Sequence, residues 1–215
     1  GIDLVVKYPA GELWISSPLL GKPNLYNILA AISAALTLNI SPSAIKAGIA
    51  SLRGVPGRFE KVENSLGLNI FIDYAHTDDA LKNLLKTVRE LSTKRIILVF
   101  GAGGDRDRTK RSRMGKIAGK LADWSILTSD NPRSEDPLDI ISDIEKGINE
   151  TGAKKYEIQP NRKEAIKRAL SLAKKSEYIL VVGKGHEDYQ IIRDKVFPFK
   201  DSEVIEAILK EMETN

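Results

Sequence analysis

The sequence has 215 residues, of which 42% are hydrophobic and 29% are charged, and it contains no cysteine. This apolar content is typical of a folded globular protein and not of a disordered chain. The lack of cysteine excludes a disulfide framework, a zinc site with thiolate ligands and a thiol nucleophile. No apolar run is long enough to span a membrane, and the first residues lack the features of a signal peptide. Because the first residue is glycine and not methionine, we expect the chain to come from a longer protein.

The net charge of +4 is concentrated in one segment. Residues 105–116 carry six Lys or Arg side chains against two Asp, which equals the excess of the whole chain. Such a cluster favours an anionic ligand, although the solvated start of a helix is an alternative. No aromatic residue is interleaved there and no nucleic-acid-binding signature is present, so we expect no nucleic-acid partner.

The first part of the chain predicts a hairpin followed by two helices. Residues 3–8 and 12–16 are rich in apolar residues and are separated by a Pro-Ala-Gly turn. A loop leads to a predicted helix over 25–39, whose dense apolar face indicates burial. Ser41 and Pro42 form a good N-cap and first-turn pair, which predicts a second helix that ends near residue 52.

A glycine- and proline-rich break over 54–58 separates this part from the rest. Beyond it, the predicted strands are 68–73, 95–100, 124–128, 155–158 and 178–182. The predicted helices are 78–91, 110–121, 137–149, 162–174 and 202–213. Strands that alternate with helices predict an α/β fold with a mostly parallel sheet and helices on both faces. We place the domain boundary between residues 58 and 59.

Polar residues follow four of the predicted strands, at the edge of the sheet where ligands of such folds bind. The segments are Asp-Tyr-Ala-His-Thr at 73–77, Gly-Ala-Gly-Gly-Asp-Arg-Asp-Arg at 101–108, Ser-Asp-Asn-Pro-Arg at 129–133 and Gly-Lys-Gly-His-Glu at 183–187. Both histidines of the chain lie in these segments. The sequence therefore predicts a ligand site at this edge.

The glycine-rich segment at 101–108 differs from a dinucleotide-binding motif. The third glycine of that motif falls on Arg106, where close packing requires a small residue, so we exclude a Rossmann cofactor site. The glycines still allow N–H groups to approach an anion, and Arg106 and Arg108 suit a carboxylate or a phosphate. A glycine-rich turn with exposed arginines is the alternative. No P-loop pattern is present in the chain.

The segment at 130–133 places a carboxylate, an amide and a guanidinium within four residues, on a backbone that Pro132 restricts. Asp130 suits an ammonium group and Arg133 suits a carboxylate, so the set fits a zwitterionic ligand. An ordinary turn before a helix is the alternative.

The His, Asp and Glu residues of the four segments have no recognised metal-ligand spacing, and we assign no metal ligand. No Ser-His-Asp order or nucleophile elbow is visible, and we assign no catalytic residue.

Two further pairs of polar or charged residues stand out, one at the start of the first predicted helix and one at the predicted boundary. Asn24 and Asn27 are three residues apart and share a helix face, or one of them caps the helix. Arg58 and Glu60 flank Phe59, so alternation along a strand would place both on one side, free to reach across a cleft between domains. A surface ion pair is the alternative.

Six motifs, in order along the chain, resemble the Mur ligases. They are Pro-Asn-x-x-Asn at 23–27, Gly-Arg-Phe-Glu at 57–60, Asp-Tyr-Ala-His-Thr at 73–77, Gly-x-Gly-Gly-Asp-Arg-Asp at 101–107, Asp-Asn-Pro-Arg at 130–133 and Gly-Lys-Gly-His-Glu at 183–187. The last three are similar to the MurE-type branch of the family. That branch joins meso-diaminopimelate to UDP-N-acetylmuramoyl-L-alanyl-D-glutamate (UDP-MurNAc-L-Ala-D-Glu) by way of an acyl phosphate.

The resemblance implies that residues 1–58 are the C-terminal part of a central ATPase domain. It implies that residues 59–215 form the amino-acid-binding, Rossmann-like C-terminal domain. The family's UDP-binding domain, P-loop, magnesium ligands and carbamylated lysine have no counterpart in the chain. ATP and Mg²⁺ are then cofactors of a parent enzyme of peptidoglycan synthesis that is cytoplasmic and monomeric and has no membrane partner. The chain alone is expected to be inactive.

The resemblance also assigns residues to ligands. The ATP-binding set is Asn27, Arg58, Asp73, His76 and Thr77. The diaminopimelate-binding set is Arg106, Asp130, Asn131, Arg133, Gly183 and Glu187. The distal ammonium and carboxylate of diaminopimelate suit an acid and an arginine, and a site of this kind should reject L-lysine. Asp78 stands where the family usually has proline, and we expect only a small effect on ATP binding.

Three other functions stay open at this point. The same ligase could add L-lysine, or the chain could belong to a related ligase such as a folylpolyglutamate synthetase or the D-alanyl-D-alanine-adding Mur ligase. The Asp-Asn-Pro-Arg and Gly-Lys-Gly-His-Glu motifs argue against the related ligases. A stand-alone module that binds an amino acid or a nucleotide is the non-enzymatic alternative.

Overall fold

The computed structural model describes residues 1–214, which form two compact units. The first is Gly1–Val55 and the second begins at Pro56. The division falls three residues before the predicted boundary because Gly57 is bonded into the second unit. Its carbonyl accepts a hydrogen bond from the Tyr74 N–H at 2.8 Å, and its own N–H donates to Glu60 Oε2 at 2.7 Å.

The first unit contains the predicted hairpin and two helices. Strands β1 (Ile2–Tyr8) and β2 (Gly11–Ser17) pair antiparallel, and helices α1 (Lys22–Thr37) and α2 (Pro42–Ser51) follow. The apolar side of β2 and the buried faces of both helices form one small core, made of Leu13, Ile15, Leu19, Ile28, Ile32 and Ile45.

The two helix starts of this unit differ in how they are capped. Ser41 caps α2 as predicted, since its side chain accepts a hydrogen bond from the Ala44 N–H at 3.3 Å. Helix α1 begins three residues earlier than predicted, directly after Gly21, which has a φ of 83°. The alternative that Asn24 or Asn27 caps α1 is therefore wrong, because both lie inside the helix, where they share a face and the Asn27 amide donates to Asn24 Oδ1.

The second unit is built on a six-stranded sheet in the order β3-β4-β8-β5-β6-β7. The strands of this unit are β3 (Glu60–Val62), β4 (Asn69–Asp73), β5 (Ile96–Phe100), β6 (Trp124–Leu127), β7 (Tyr156–Ile158), β8 (Tyr178–Val182), β9 (Tyr189–Ile192) and β10 (Lys195–Pro198). The helices are α3 (Asp78–Leu91), α4 (Thr109–Leu121), α5 (Pro137–Asn149), α6 (Arg162–Leu172) and α7 (Asp201–Thr214).

Every strand pair of this sheet is parallel except β3 with β4. Strand β5 is buried along its whole length, as expected for a strand covered on both faces. Alternate residues of the central strands pack against α6 and α7 in one apolar core, which includes Ile97, Ile179 and Ile205. The predicted α/β fold with a mostly parallel sheet is confirmed. No helix within residues 1–214 has the length and apolar content needed to cross a membrane.

The sequence did not predict β3 or the antiparallel hairpin of β9 and β10. Strand β3 has three residues, two of them charged, and β10 is exposed at every position. Neither strand carries the apolar alternation that marks a strand packed on one face. Edge and hairpin strands of this kind depend on pairing partners that lie far away in the sequence.

The prediction that Arg58 and Glu60 share one side of a strand is wrong. Strand β3 begins at Glu60, and Phe59 has a left-handed backbone with a φ of 46°. The Glu60 carboxylate turns back to the Gly57 N–H, whereas the Arg58 guanidinium lies 5.0 Å from the centre of the Tyr74 ring. The alternative, an ion pair between Arg58 and Glu60, is not formed within the described residues either.

Candidate functional site

A cavity of about 320 Å³ opens at the carboxyl edge of the sheet. Its walls come from the loops that follow β4, β5, β6 and β8, together with residues of α4 and β9. All six residues of the predicted diaminopimelate set line it: Arg106, Asp130, Asn131, Arg133, Gly183 and Glu187. Five further residues complete the lining, namely Tyr74, His76, Gly103, Lys110 and Tyr189. The parallel topology thus brings four segments of distant sequence to one place.

Glycines allow the loops after β5 and β6 to pack backbone against backbone. A Cβ on Gly104 would lie 1.9 Å from the Pro132 carbonyl oxygen, and one on Gly101 would lie 2.1 Å from that of Thr128. The Gly104 N–H donates to the Asn131 carbonyl at 2.9 Å. At this position the glycine-rich segment therefore serves packing between loops, and its N–H group is already used within the protein.

The basic segment at 105–116 mostly forms ion pairs inside the protein. Four of its six cations contact acidic side chains: Arg108 and Arg111 pair with Glu135, Arg113 with Asp78, and Lys116 with Glu150. Arg106 and Lys110 line the cavity. The interpretation of the whole segment as an anion-binding cluster is therefore wrong for four cations, because acids from α3, α5 and the loop before α5 neutralise them.

Asp130 supplies a buried carboxylate to the cavity. The residue is only 5% exposed, and its carboxylate accepts no hydrogen bond from residues 1–214. Its nearest cation is the Lys184 ammonium, at 3.9 Å from Oδ1. A Cβ on Gly183 would lie 2.5 Å from Asp130 Oδ2, so glycine is required at that position. Burial raises the pKa of Asp130, and the positive charges of Arg162 and Lys184 oppose that rise.

Lys184 connects the loops after β6 and β8, and the predicted site set did not contain it. Its fully buried ammonium donates to Asn131 Oδ1 and to Glu187 Oε2, both at 3.2 Å. The Asn131 amide in turn donates to Glu187 Oε2 at 2.8 Å and accepts from the Ile191 N–H at 2.9 Å. The only signal for Lys184 in the sequence was its place in the Gly-Lys-Gly-His-Glu motif, since nothing local indicates that a lysine there is buried.

A second buried ion pair lies beside this cluster. Arg162 and Asp201 are fully buried side chains joined by two hydrogen bonds of 2.7 Å each. Arg162 also donates to the Val182 carbonyl at 3.1 Å, at the end of β8. Because this pair is bidentate, its two charges balance each other and it fixes the end of the central strand.

The remaining charges of the cluster do not balance. Lys184 carries one positive charge, while Asp130 and Glu187 carry two negative charges when ionised. Burying an unpaired charge is costly, so a site with one negative charge in excess favours a cationic group. An ammonium group that entered the cavity would supply that charge beside Asp130.

The opposite charge comes from arginines of the neighbouring loops. Arg133 has a left-handed backbone with a φ of 52°, and its Nη1 donates to the carbonyls of Gly104 and Asn131 at 2.9 and 3.4 Å. Both of these acceptors are neutral, and no carboxylate within residues 1–214 forms an ion pair with Arg133. Arg106 is exposed and donates to the Asp105 carbonyl at 3.0 Å. The cavity thus presents guanidinium groups with charge available for an anion.

Lys110 adds a third cation to the cavity wall. Its ammonium donates to the His76 carbonyl at 2.9 Å. Burial lowers the pKa of Lys110, while the carboxylates of Asp130 and Asp107 oppose that change. Because this cation acts on Asp130, it offsets part of the negative charge there and adds a positive charge for the anionic group of a ligand.

Four of the five residues predicted to bind ATP lie close together in the second unit. Asp73, His76 and Thr77 lie at the end of β4 and in the loop after it, and the Arg58 guanidinium lies 5.0 Å from the ring of Tyr74 in the same loop. His76 lines the cavity, together with the predicted diaminopimelate set. Thr77 caps α3, since its Oγ1 accepts a hydrogen bond from the Ala80 N–H at 3.2 Å. Asn27 belongs to the first unit, where its amide donates to Asn24 Oδ1 at 3.3 Å.

Asp73 and Arg58, the other two members of that set, are linked through the backbone. Asp73 accepts hydrogen bonds from the N–H groups of Phe59, at 2.7 Å, and Ala75, at 2.8 Å. Burial raises the pKa of Asp73, and these two N–H groups oppose the rise. Within residues 1–214, no group of three or more His, Asp or Glu side chains is arranged to hold a metal ion.

Proteins of known name match this sequence over nearly the whole length of the chain. The family described as Mur ligase, glutamate ligase domain, matches residues 57–185. A UDP-N-acetylmuramoyl-L-alanyl-D-glutamate–2,6-diaminopimelate ligase of Solibacter usitatus is 45% identical over 210 residues, which are 98% of this chain and 42% of that protein. The ligase of the same name from Caldanaerobacter subterraneus is 49% identical over 213 residues, which are 99% of this chain and 44% of that protein.

A solved structure agrees with these relatives. The structure of a UDP-N-acetylmuramoyl-L-alanyl-D-glutamate–2,6-diaminopimelate ligase matches with a TM-score of 0.71 and 36% identity, over 98% of this chain and 43% of that chain. The resemblance drawn from the six motifs is therefore confirmed. The chain spans less than half the length of the curated relatives it matches.

Proposed function

The chain belongs to the Mur ligase family, and from this membership we propose that it is the C-terminal part of an ATP-dependent ligase. The parent enzyme adds meso-diaminopimelate to UDP-MurNAc-L-Ala-D-Glu in peptidoglycan synthesis, in the cytoplasm and as a monomer. Residues 1–58 then end the central ATPase domain, and residues 59–215 form the amino-acid-binding domain. Relatives that carry this enzyme name at 45–49% identity support the proposal.

The reaction joins a carboxylate and an amine at the expense of ATP. ATP transfers its terminal phosphoryl group to the γ-carboxylate of D-glutamate, which forms an acyl phosphate and releases ADP. The neutral amino group of the diamino acid attacks the acyl carbon, loses a proton and displaces phosphate, which leaves an amide. The task of this chain is to hold the diamino acid so that its amine meets the acyl phosphate.

The charge pattern of the cavity is the observation that carries the proposal. One end of diaminopimelate reacts, and the distal end carries an ammonium and a carboxylate. Asp130, with the excess negative charge beside Glu187, suits the ammonium, and Arg133 with Arg106 suits the carboxylate. Gly183 leaves the space that the Asp130 carboxylate occupies. In this proposal Asn131 acts by holding Glu187 in place.

The same pattern accounts for discrimination against L-lysine. Lysine has the distal ammonium but lacks the distal carboxylate, so it would leave the Arg133 guanidinium desolvated without an anion. A charged partner left unpaired costs about 1–3 kcal/mol, which corresponds to about 5- to 150-fold in kcat/KM.

The nucleotide belongs to the same proposal but depends on the first unit and on chain outside this sequence. Asn27 and Arg58 would contact ATP, and His76 and Thr77 would line the side of the binding site that holds the nucleotide. Asp73 would position Arg58, because it binds the N–H of the next residue, Phe59. Mg²⁺ would accompany the ATP phosphates. Since residues 1–214 offer no grouped ligands for it, we assign no residue of this chain to the ion.

The test is a ligase assay with the full-length protein, supplied with ATP, UDP-MurNAc-L-Ala-D-Glu and either meso-diaminopimelate or L-lysine. We expect amide formation with meso-diaminopimelate and little with L-lysine. Arg133→Met should reduce kcat/KM for meso-diaminopimelate about 5- to 150-fold and leave the weak use of L-lysine unchanged, because lysine has no carboxylate for this arginine. The matched control is Arg168→Met, which removes an arginine that pairs with Glu157 outside the cavity. Equal use of both amino acids by the unmodified enzyme would contradict the proposal.

A further inference from the structure

Lys184 occupies an unusual position for a lysine, since it is fully buried behind the cavity and does not line it. Its ammonium lies 3.2 Å from Glu187 Oε2 and 3.9 Å from Asp130 Oδ1, and both of these carboxylates face the cavity. Fully buried lysines are rare, and they persist where the charge is paired and hydrogen-bonded. Lys184 meets that condition through Asn131, Glu187 and Asp130.

The charged and titratable groups around Lys184 come from six elements. The loop after β6 contributes Asp130, and the loop of Lys184 itself contributes Glu187. Helices α6 and α7 contribute the balanced pair of Arg162 and Asp201. The ring of Tyr189 in β9 lies 5.6 Å from the Lys184 ammonium, and Lys110 from α4 acts on Asp130 from the cavity side.

We propose that Lys184 is a positioning residue that holds the carboxylates of Asp130 and Glu187 in place and offsets one of their two negative charges before the amino acid arrives. The group formed by Lys184, Asp130 and Glu187 then carries one net negative charge in a fixed geometry, ready for one ammonium group. The identity of that ammonium as the distal group of diaminopimelate rests on the proposed function. The effect of Lys184 on the two carboxylates does not.

The physical argument concerns what the cavity would do without this lysine. Two carboxylates that face one cavity without a cation between them do not both ionise readily, because like charges repel and burial disfavours each charge. Without Lys184, the charges of Arg162 and Lys110 still act on Asp130, but the cation that contacts both carboxylates is lost, and the buried Asp130 would take up a proton more readily. An arriving ammonium would then have to displace that proton, and its affinity would fall steeply with decreasing pH. The rise in the pKa of Asp130 caused by burial, which Lys184 opposes, agrees with this argument.

The first test needs no ligand. Carbon-13 NMR of labelled side-chain carboxyl groups gives the titration midpoints of Asp130 and Glu187, with the signals assigned through Asp130→Asn and Glu187→Gln. Lys184→Met should raise the higher midpoint of the pair by about one pH unit or more. Lys184→Gln, which keeps a hydrogen-bond donor for Asn131 but no charge, should raise it as well. The matched control, Lys116→Met, removes a lysine that pairs with Glu150 elsewhere and should leave both midpoints unchanged. Unchanged midpoints in a folded Lys184 variant would overturn the proposal.

The second test uses the unmodified chain and covers the case in which neither Lys184 variant folds. Calorimetric titration with meso-diaminopimelate in buffers of different ionisation enthalpy counts the protons released on binding. If both carboxylates are already ionised, release should be close to zero at neutral pH. A release of about one proton per site would show that one carboxylate was protonated and would overturn the role of Lys184. Failure of meso-diaminopimelate to bind would count against the proposed function alone. The NMR titration of the unmodified chain then decides the role of Lys184, and a midpoint of Asp130 or Glu187 near neutral pH would overturn it.

Discussion

The body of the sheet and its carboxyl edge obey different physical rules. The two central strands, β5 and β8, bury only apolar side chains, such as Ile97, Leu98 and Val181. Each side chain contributes free energy in proportion to the area it removes from water. The edge buries four charged side chains: Asp130 and Lys184 in the loops after β6 and β8, Arg162 in α6 and Asp201 in α7. A buried charge stabilises a fold only through its partners. The difference teaches that the body sets the architecture, while the pairing of charges at the edge decides what the molecule binds.

The largest expected effect at the edge comes from Arg162→Met. This change leaves the Asp201 carboxylate buried without its partner, so we expect a loss of about 3–5 kcal/mol in the free energy of unfolding. Urea unfolding of the chain measures it. The matched control is the double variant Arg162→Met with Asp201→Leu, which removes both charges and should recover much of the loss. If the single variant were as stable as the unmodified chain, burying an unpaired charge at the carboxyl edge would carry no energetic cost, and the contrast with the apolar body of the sheet would be wrong.

The next effect separates binding from folding at one residue. Asp130→Asn removes the excess negative charge, so the affinity for meso-diaminopimelate should fall about 10- to 150-fold. The unliganded chain should be at least as stable as before, because a buried carboxylate without a hydrogen-bond donor is replaced by a neutral group. Titration calorimetry and thermal unfolding measure the two quantities. A large loss of stability would show that Asp130 serves the fold and not the ligand.

A smaller effect concerns Glu135, which lies outside the cavity and joins two of its loops. The Arg111 guanidinium, with help from the Asp105 N–H and Arg108, lowers the pKa of Glu135 to about 2. Because this pKa lies below the unfolded value, Glu135 stabilises the fold above about pH 4.5, and that contribution is lost as the pH falls toward 2. Glu135→Gln should lower stability at neutral pH by about 1–2 kcal/mol.

The pH dependence distinguishes this role from a general loss of packing. Glu135→Gln should show a flatter fall in stability between about pH 4.5 and 2 than the unmodified chain, since the titrating group is absent. Denaturant unfolding at several pH values measures the slope. Parallel curves for the two proteins would contradict the assignment of that acid sensitivity to Glu135.

The smallest effect is expected on the surface of the sheet domain. Glu157 and Arg168 form an exposed ion pair at 2.8 Å, and exposed pairs contribute less than about 1 kcal/mol. Glu157→Gln should therefore change the urea midpoint only slightly. A loss comparable to that of Arg162→Met would remove the distinction between buried and exposed charges on which the comparison depends.

The body of the sheet could be predicted from sequence because its signals are local. Apolar periodicity located β5, β8, α3 and α5 to within one residue of their observed bounds. The position of the cavity was also predicted, because polar segments after parallel strands meet at one edge, and the resemblance to the Mur ligases supplied six of its lining residues. The burial of Lys184 and the pairing of Arg162 with Asp201 were not, since each depends on partners far apart in the sequence. The basic segment was misinterpreted for the same reason, because its acidic partners lie on other elements.

The central claim is that one cavity at the carboxyl edge holds the distal end of a diamino acid. A crystal structure of the chain with meso-diaminopimelate tests it most directly. We expect the distal ammonium beside Asp130 and Glu187 and the distal carboxylate beside Arg133 or Arg106, within hydrogen-bond distance of about 3 Å. A ligand bound elsewhere, or bound here with its carboxylate toward Asp130, would contradict the account.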